Sequence, residues 1–75
     1  MINTMTIAQN KKLELNEDEA WEYYSYLLQK QRDVTDRLVA ASKNRDRDAI
    51  RELVAESREI SKKLDRVDEF LDQFE

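Results

Sequence analysis

Apolar or small residues in the last third of the chain recur in alternating steps of three and four. This stripe consists of Ile50, Leu53, Ser57, Ile60, Leu64, Val67, Leu71 and Phe74. The spacing is typical of a coiled-coil seam, which runs along one narrow side of an α-helix. A second helix must cover such a stripe, so the pattern predicts at least one long helix–helix contact.

A similar stripe runs through the middle of the chain. It consists of Ala20, Tyr24, Leu27, Gln31, Val34, Leu38 and Ala41, with Trp21, Leu28 and Thr35 widening one flank. Asn16 precedes the stripe and Glu19 follows three residues later, a capping-box arrangement that predicts a helix start. Gln31 is the polar exception: it is either a tolerated amide near the surface or a residue that fixes the helix register, as a buried Asn does in coiled coils.

The segment between the two stripes, residues 42–48, contains no apolar residue. We expect Asn44 to end the first helix in the left-handed conformation, which Asn tolerates, and Asp46 to cap the second helix. The heptad phases disagree across this segment, and the arms on either side match in length at 28 residues each. The sequence therefore predicts a hairpin with a turn at 44–46, rather than one long helix with a stutter.

The predicted fold is all-α: a two-helix antiparallel hairpin, coiled-coil-like, that pairs with a second copy into a four-helix bundle homodimer. The helices are expected at 16–43 and 47–74, and residues 1–15 as a flexible arm, a short strand or a small hairpin. Gln31 is expected opposite Ile60. The predicted core of hairpin and dimer is Leu27, Leu28, Val34, Leu38, Ile50, Leu53, Ile60, Leu64, Val67 and Leu71.

The amino-acid composition limits the catalytic and metal-binding chemistry that the chain can support. The 75 residues include no Gly, Pro, Cys or His, so the chain lacks disulfides, glycine loops for phosphate, and the commonest general base and metal ligand. We therefore expect no catalytic residues, no metal site, no cofactor and no small-molecule substrate. Without an apolar run of membrane-spanning length or a signal-peptide core, a cytoplasmic protein with no membrane partner is expected.

The aromatic residues gather at the end of the predicted hairpin opposite the turn, and tryptophan and tyrosine are frequent anchors of protein interfaces. The predicted partner-binding residues are Trp21, Tyr23, Tyr24, Tyr26, Phe70 and Phe74. They lie either in the core of a homodimer or on a recognition surface for another protein, and both can hold at once.

Charge is polarised along the predicted hairpin. The aromatic end carries Glu17, Asp18, Glu19, Glu22, Asp68, Glu69, Asp72 and Glu75, whereas the turn carries Lys43, Arg45, Arg47 and Arg51. An antiparallel dimer would bring each acidic end next to a basic turn.

These patterns predict a non-catalytic protein–protein interaction module, such as an inhibitor, an antitoxin-like protein or an assembly adaptor. The alternative is a nucleic-acid accessory protein that uses the basic turn together with Arg58 and Lys62. The net charge of −4 disfavours nucleic acid as the partner of the whole molecule.

Overall fold

A computed structural model describes residues 15–75, which form two helices. Helix α1 spans Glu17–Lys43 and helix α2 spans Arg47–Asp72, and they pack against each other. The three-residue connection makes them antiparallel neighbours. Within the described range there is no strand, so the predicted all-α pair of helices is confirmed and the single long helix is wrong. The predicted arm, 1–15, lies outside the described residues except for Leu15.

Helix α1 begins with the predicted capping box. The backbone N–H of Glu19 donates to Asn16 Oδ1 at 2.8 Å, and the backbone N–H of Asn16 donates to Glu19 Oε1 at 3.1 Å. Both bonds satisfy amides that have no partner within the helix. Glu17 and Asp18 add negative charge to the first turn, where the helix dipole is positive.

The connection reverses the chain through a Schellman motif. The N–H of Asp46 donates to the carbonyl of Ala41 at 3.0 Å, and that of Arg45 donates to the carbonyl of Ser42 at 3.1 Å. The left-handed residue of this motif is Arg45, with φ 55°, whereas Asn44 keeps a right-handed φ of −87°. The expectation that Asn44 is left-handed was therefore wrong, because Asn44 is the C-cap of α1 and keeps a right-handed backbone. The left-handed position of this motif is the residue after the C-cap, which is Arg45.

Helix α2 begins at a cap and ends early. Asp46 Oδ1 accepts from the backbone N–H of Ala49 at 3.1 Å, which confirms the predicted cap. The helix ends at Asp72, two residues before the expected bound, and Phe74 N–H donates instead to the carbonyl of Leu71 at 3.0 Å. No basic residue lies in the last turn, so the acidic side chains there oppose the helix dipole and disfavour a longer helix.

The core lies along one line between the two helices. Its buried members are Ala20, Leu27, Val34, Ile60, Val67 and Leu71, and Leu15, Tyr23, Tyr24, Leu38, Leu53, Leu64 and Phe70 pack around them half-buried. The α1 members are seven residues apart, which places them on one narrow stripe. Leu28 lies outside this core with 47% of its surface exposed.

We predict that Arg45→Gly stabilises the protein. The left-handed conformation costs a residue with a Cβ about 1–2 kcal/mol, and glycine removes this cost. Glycine also has more conformational freedom in the unfolded state, which offsets part of the stabilisation. The free energy of unfolding in urea should rise by about 0.5–1 kcal/mol.

Asn44→Gly is the matched control, since that position is right-handed. It should lower the free energy of unfolding by about 0.5–1 kcal/mol. Stabilisation by Asn44→Gly together with destabilisation by Arg45→Gly would contradict the assigned geometry of the connection.

Candidate protein-interaction surfaces

The six aromatic residues form three ring pairs. Ring centroids lie 5.7 Å apart in Trp21–Tyr24, 6.4 Å apart in Tyr23–Tyr26 and 5.5 Å apart in Phe70–Phe74. The first and third pairs meet edge to face, and the second is stacked. Neighbouring positions on a helix point in different directions, so the pairs on α1 belong to two different sides of the hairpin.

One side of the hairpin, which we call the open face, has an apolar surface that residues 15–75 leave uncovered. It contains Trp21, Tyr24, Leu28 and Val39 of α1 and Ile50, Val54 and Leu64 of α2. Their spacings of three, four, ten and eleven residues are close to whole helical turns, which places them on one side of each helix. Trp21 and Val39 are each 50% exposed, which is high for large apolar side chains and is typical of interaction sites when such residues are contiguous.

A shallow groove near the turn joins the two helices on this open face. It has a volume of about 510 Å³ and is lined by Thr35, Leu38, Val39, Ser42, Lys43 and Ile50. Leu38 and Ile50 are half-buried in its floor, whereas Val39 stands exposed at its side. The groove shows that Val39 of α1 and Ile50 of α2 face the same side of the hairpin.

The opposite side, which we call the outer face, combines tyrosines with charges. A pocket of about 180 Å³ is lined there by Tyr23, Tyr26, Leu27, Lys30, Glu56, Glu59, Ile60 and Lys63. Lys30 Nζ lies 5.6 Å from the centroid of the Tyr26 ring, a cation–π distance. Tyr26 is 53% exposed, so the outer face offers an aromatic anchor within a mixed-charge surface.

Gln31 connects the two helices at their middle. Its Nε2 donates to Ser61 Oγ at 3.0 Å and to the carbonyl of Ser57 at 3.3 Å, and Ser57 Oγ donates to Gln31 Oε1 at 3.0 Å. Ser57 lies three residues before Ile60 and Ser61 lies directly after it. The bonds therefore agree with the predicted position of Gln31 opposite Ile60. A slip of one turn would break all three bonds, which favours the interpretation of Gln31 as a register-fixing residue.

The charged side chains interact within each helix. The ion pairs of the described residues are Asp33–Arg37 at 3.1 Å, Asp48–Arg51 at 3.6 Å and Glu59–Lys62 at 3.5 Å. Each joins exposed residues three or four apart, so each contributes only a few tenths of a kcal/mol. Packing and the Gln31 bonds, and not ion pairing, therefore hold the hairpin together.

The described part of the chain contains no cluster of three or more side chains suited to a metal ion. Neither α1 nor α2 is apolar enough over its length to cross a membrane.

The structure separates the predicted site residues and adds to them. Trp21 and Tyr24 lie with Leu28 on the open face, Tyr23 and Tyr26 lie on the outer face, and the two phenylalanines lie at the end of α2. Val39 and Val54 of the open face were not predicted from the sequence. They belong to a second apolar band beside the seam, of which the sequence pattern indicated only the part on α1 formed by Trp21, Leu28 and Thr35.

Comparisons with known proteins give no family: no protein-family model, no curated protein and no solved structure matches the chain.

We predict that Gln31→Ala costs about 1–2 kcal/mol of unfolding free energy, because it removes three partly exposed hydrogen bonds. Gln29→Ala is the matched control: the same substitution, on the same helix, at an exposed position. It should change stability by no more than about 0.5 kcal/mol.

A double-mutant cycle with Ser61→Ala separates the bond from the change in helix propensity. Equal effects of Gln31→Ala and Gln29→Ala, with no coupling to Ser61, would show that the bonds do not fix the register.

Proposed function

We propose that this protein is a non-catalytic protein–protein interaction module. It acts as a homodimer of helical hairpins, a four-helix bundle, and presents its aromatic, acidic end to a second protein. The observation that carries the proposal is the exposure of Trp21, Tyr26, Leu28 and Val39 on the two-helix hairpin that residues 15–75 form. Trp21, Leu28 and Val39 share the open face, and several large apolar side chains exposed on one face are typical of interfaces.

The open face supports the homodimer. It extends from Trp21 to Val39 on α1, about 28 Å at 1.5 Å per residue, and it adjoins the half-buried Leu38 and Leu53 that pack on the core. Two helices of this size seldom form a stable fold without a staple or a partner. A second hairpin on the open face would complete the core of a four-helix bundle.

The outer face supports a heterologous partner. With the open face occupied by a second copy, Tyr23 and Tyr26 remain accessible, near the acidic residues at the start of α1 and the end of α2. Tyrosine is an effective anchor because it contributes large area with little loss of conformational freedom. The carboxylates at the start of α1 and the end of α2 favour a partner with a basic surface, while Lys30 and Lys63 make the charge immediately beside the tyrosines mixed.

The basic turn gives weaker support to nucleic-acid binding. Its four basic residues, Lys43, Arg45, Arg47 and Arg51, alternate with Asp46 and Asp48. Arg51 is already paired with Asp48, and Asp46 caps α2. Neutralisation of several phosphates requires a denser cluster of unpaired cations.

We predict that the protein sediments at about 18 kDa, twice the chain mass of 9.0 kDa. Sedimentation equilibrium at micromolar concentration measures this mass. A constant mass of one chain across the accessible concentration range would refute the homodimer.

We predict that Tyr26→Ala removes the binding of the partner while the dimer mass and the helical content remain unchanged. Affinity capture from source cells identifies the partner, and calorimetry with the purified partner measures the loss, expected at tenfold or more for a buried tyrosine anchor. Arg58→Ala, an exposed residue on α2, is the control and should bind normally.

Normal binding by Tyr26→Ala and Tyr23→Ala together would exclude the outer face. Steeply salt-dependent binding of DNA or RNA in a gel-shift titration, abolished by Arg45→Ala and Arg47→Ala, would favour the nucleic-acid role instead.

A further inference from the structure

We propose that the second copy docks antiparallel on the open face, so that α1 lies against α1 of the other copy and α2 against α2. The inference deepens the proposed function, because it takes the homodimer as given and assigns its face, its orientation and its register. Three features of the hairpin carry it: the polarity of its charges, the symmetry of its apolar positions and the small polar residues at its centre.

The charges favour the antiparallel orientation. In a parallel dimer the two acidic ends would meet each other, and so would the two basic turns, and like charges across an interface cost free energy. In the antiparallel dimer, Arg47 and Arg51 of one copy lie at the level of Asp72 and Asp68 of the other. Each basic turn then meets an acidic end, at both ends of the bundle.

The apolar positions of α1 are symmetric about the middle of the hairpin. A two-fold axis across the open face at the level of Gln31 maps each helix onto its antiparallel copy. Tyr24 lies seven residues before Gln31 and Val39 eight residues after it, so these two side chains reach the same level in opposite copies. Leu28 and Thr35 are related in the same way.

The apolar positions of α2 share this axis. Val54 and Leu64 are each five residues from the midpoint between Ser57 and Ser61. The hydrogen bonds of Gln31 place that midpoint opposite Gln31. One axis therefore serves both helices, and Val54 of one copy faces Leu64 of the other.

The side-chain sizes also match across this interface. Trp21 and Tyr24, the two largest side chains of the open face, come to the levels of Ser42 and Val39 in the other copy. Facing a large residue with a small one allows layers to interdigitate at the density of a protein core. At the axis, Ser57 and Ser61 are small enough for the two α2 helices to approach closely.

Spin labels test the orientation in the intact protein. The chain has no Cys, so Asn44→Cys labels the turn alone and Asp72→Cys labels the opposite end alone. In the antiparallel dimer, pulsed electron-resonance distances should be about 40 Å for turn to turn and about 40 Å for end to end. A mixture of the two labelled proteins should add a population at about 20 Å or less, from dimers with one label of each kind.

The opposite pattern would overturn the inference: short distances in both single-label samples and a long one only in the mixture. This result would leave the homodimer of the proposed function intact, whereas a chain that stays monomeric would refute both.

Charge insertion tests the face. Leu28→Glu should weaken self-association at least a hundredfold by sedimentation, because it buries an unpaired carboxylate near the axis. Tyr26→Glu is the control, with similar exposure on the same helix but on the outer face, and should leave the dimer intact. A dimer that survives Leu28→Glu and is lost with Tyr26→Glu would assign the interface to the outer face and overturn the proposal. If Leu28→Glu unfolds the chain, the spin-label distances still test the proposal, because they are measured on variants that keep Leu28.

Discussion

Among residues 15–75, each helix packs against one other helix, and a helix with one neighbour can bury only one stripe of its surface. That constraint explains why the core is narrow: α1 buries one residue per two turns from Ala20 to Ala41. It also explains why leucines beside the stripe, such as Leu38 and Leu64, are only half-buried. The sequence carries more apolar surface than two helices can cover, and the surplus is concentrated on the open face.

The Gln31 bonds give this simple packing a unique alignment. Two regular apolar stripes can slide past each other by a turn with little loss of burial, whereas the amide finds Ser57 and Ser61 in only one register. The same three residues lie at the middle of the open face. A polar layer there sets the position of one helix relative to the other, and in the proposed dimer it also marks the symmetry axis.

Much of the fold follows from the sequence because its signals are local and consistent. The three–four spacing defined both stripes, and the side chains of Asn16 and Asp46 marked the helix starts. The connection was harder to predict. The residue type favoured Asn44 as the left-handed position, but Asn44 is the right-handed C-cap of α1 and the next residue, Arg45, is left-handed. The end of α2 was predicted too late. The apolar stripe continues to Phe74, but the acidic residues of the last turn oppose the helix dipole and disfavour helix beyond Asp72.

The candidate sites were less predictable than the fold. The six aromatic residues were grouped by their position along the hairpin, whereas the structure divides them by helix side. Val39 and Val54 were missed because a second apolar band becomes meaningful only once the first has been assigned to the partner helix. The direction of each side chain around its helix, and not its level along the hairpin, separates the open face from the outer face.

We propose that a second copy covers the apolar surplus of the open face in the native protein. The most direct test is the thermal unfolding midpoint, followed by far-ultraviolet circular dichroism over a hundredfold range of protein concentration. If folding is coupled to pairing, the midpoint rises steadily with concentration. A midpoint that stays constant across that range, with full helical content at the lowest concentration, would show that the hairpin is stable alone and would contradict the account.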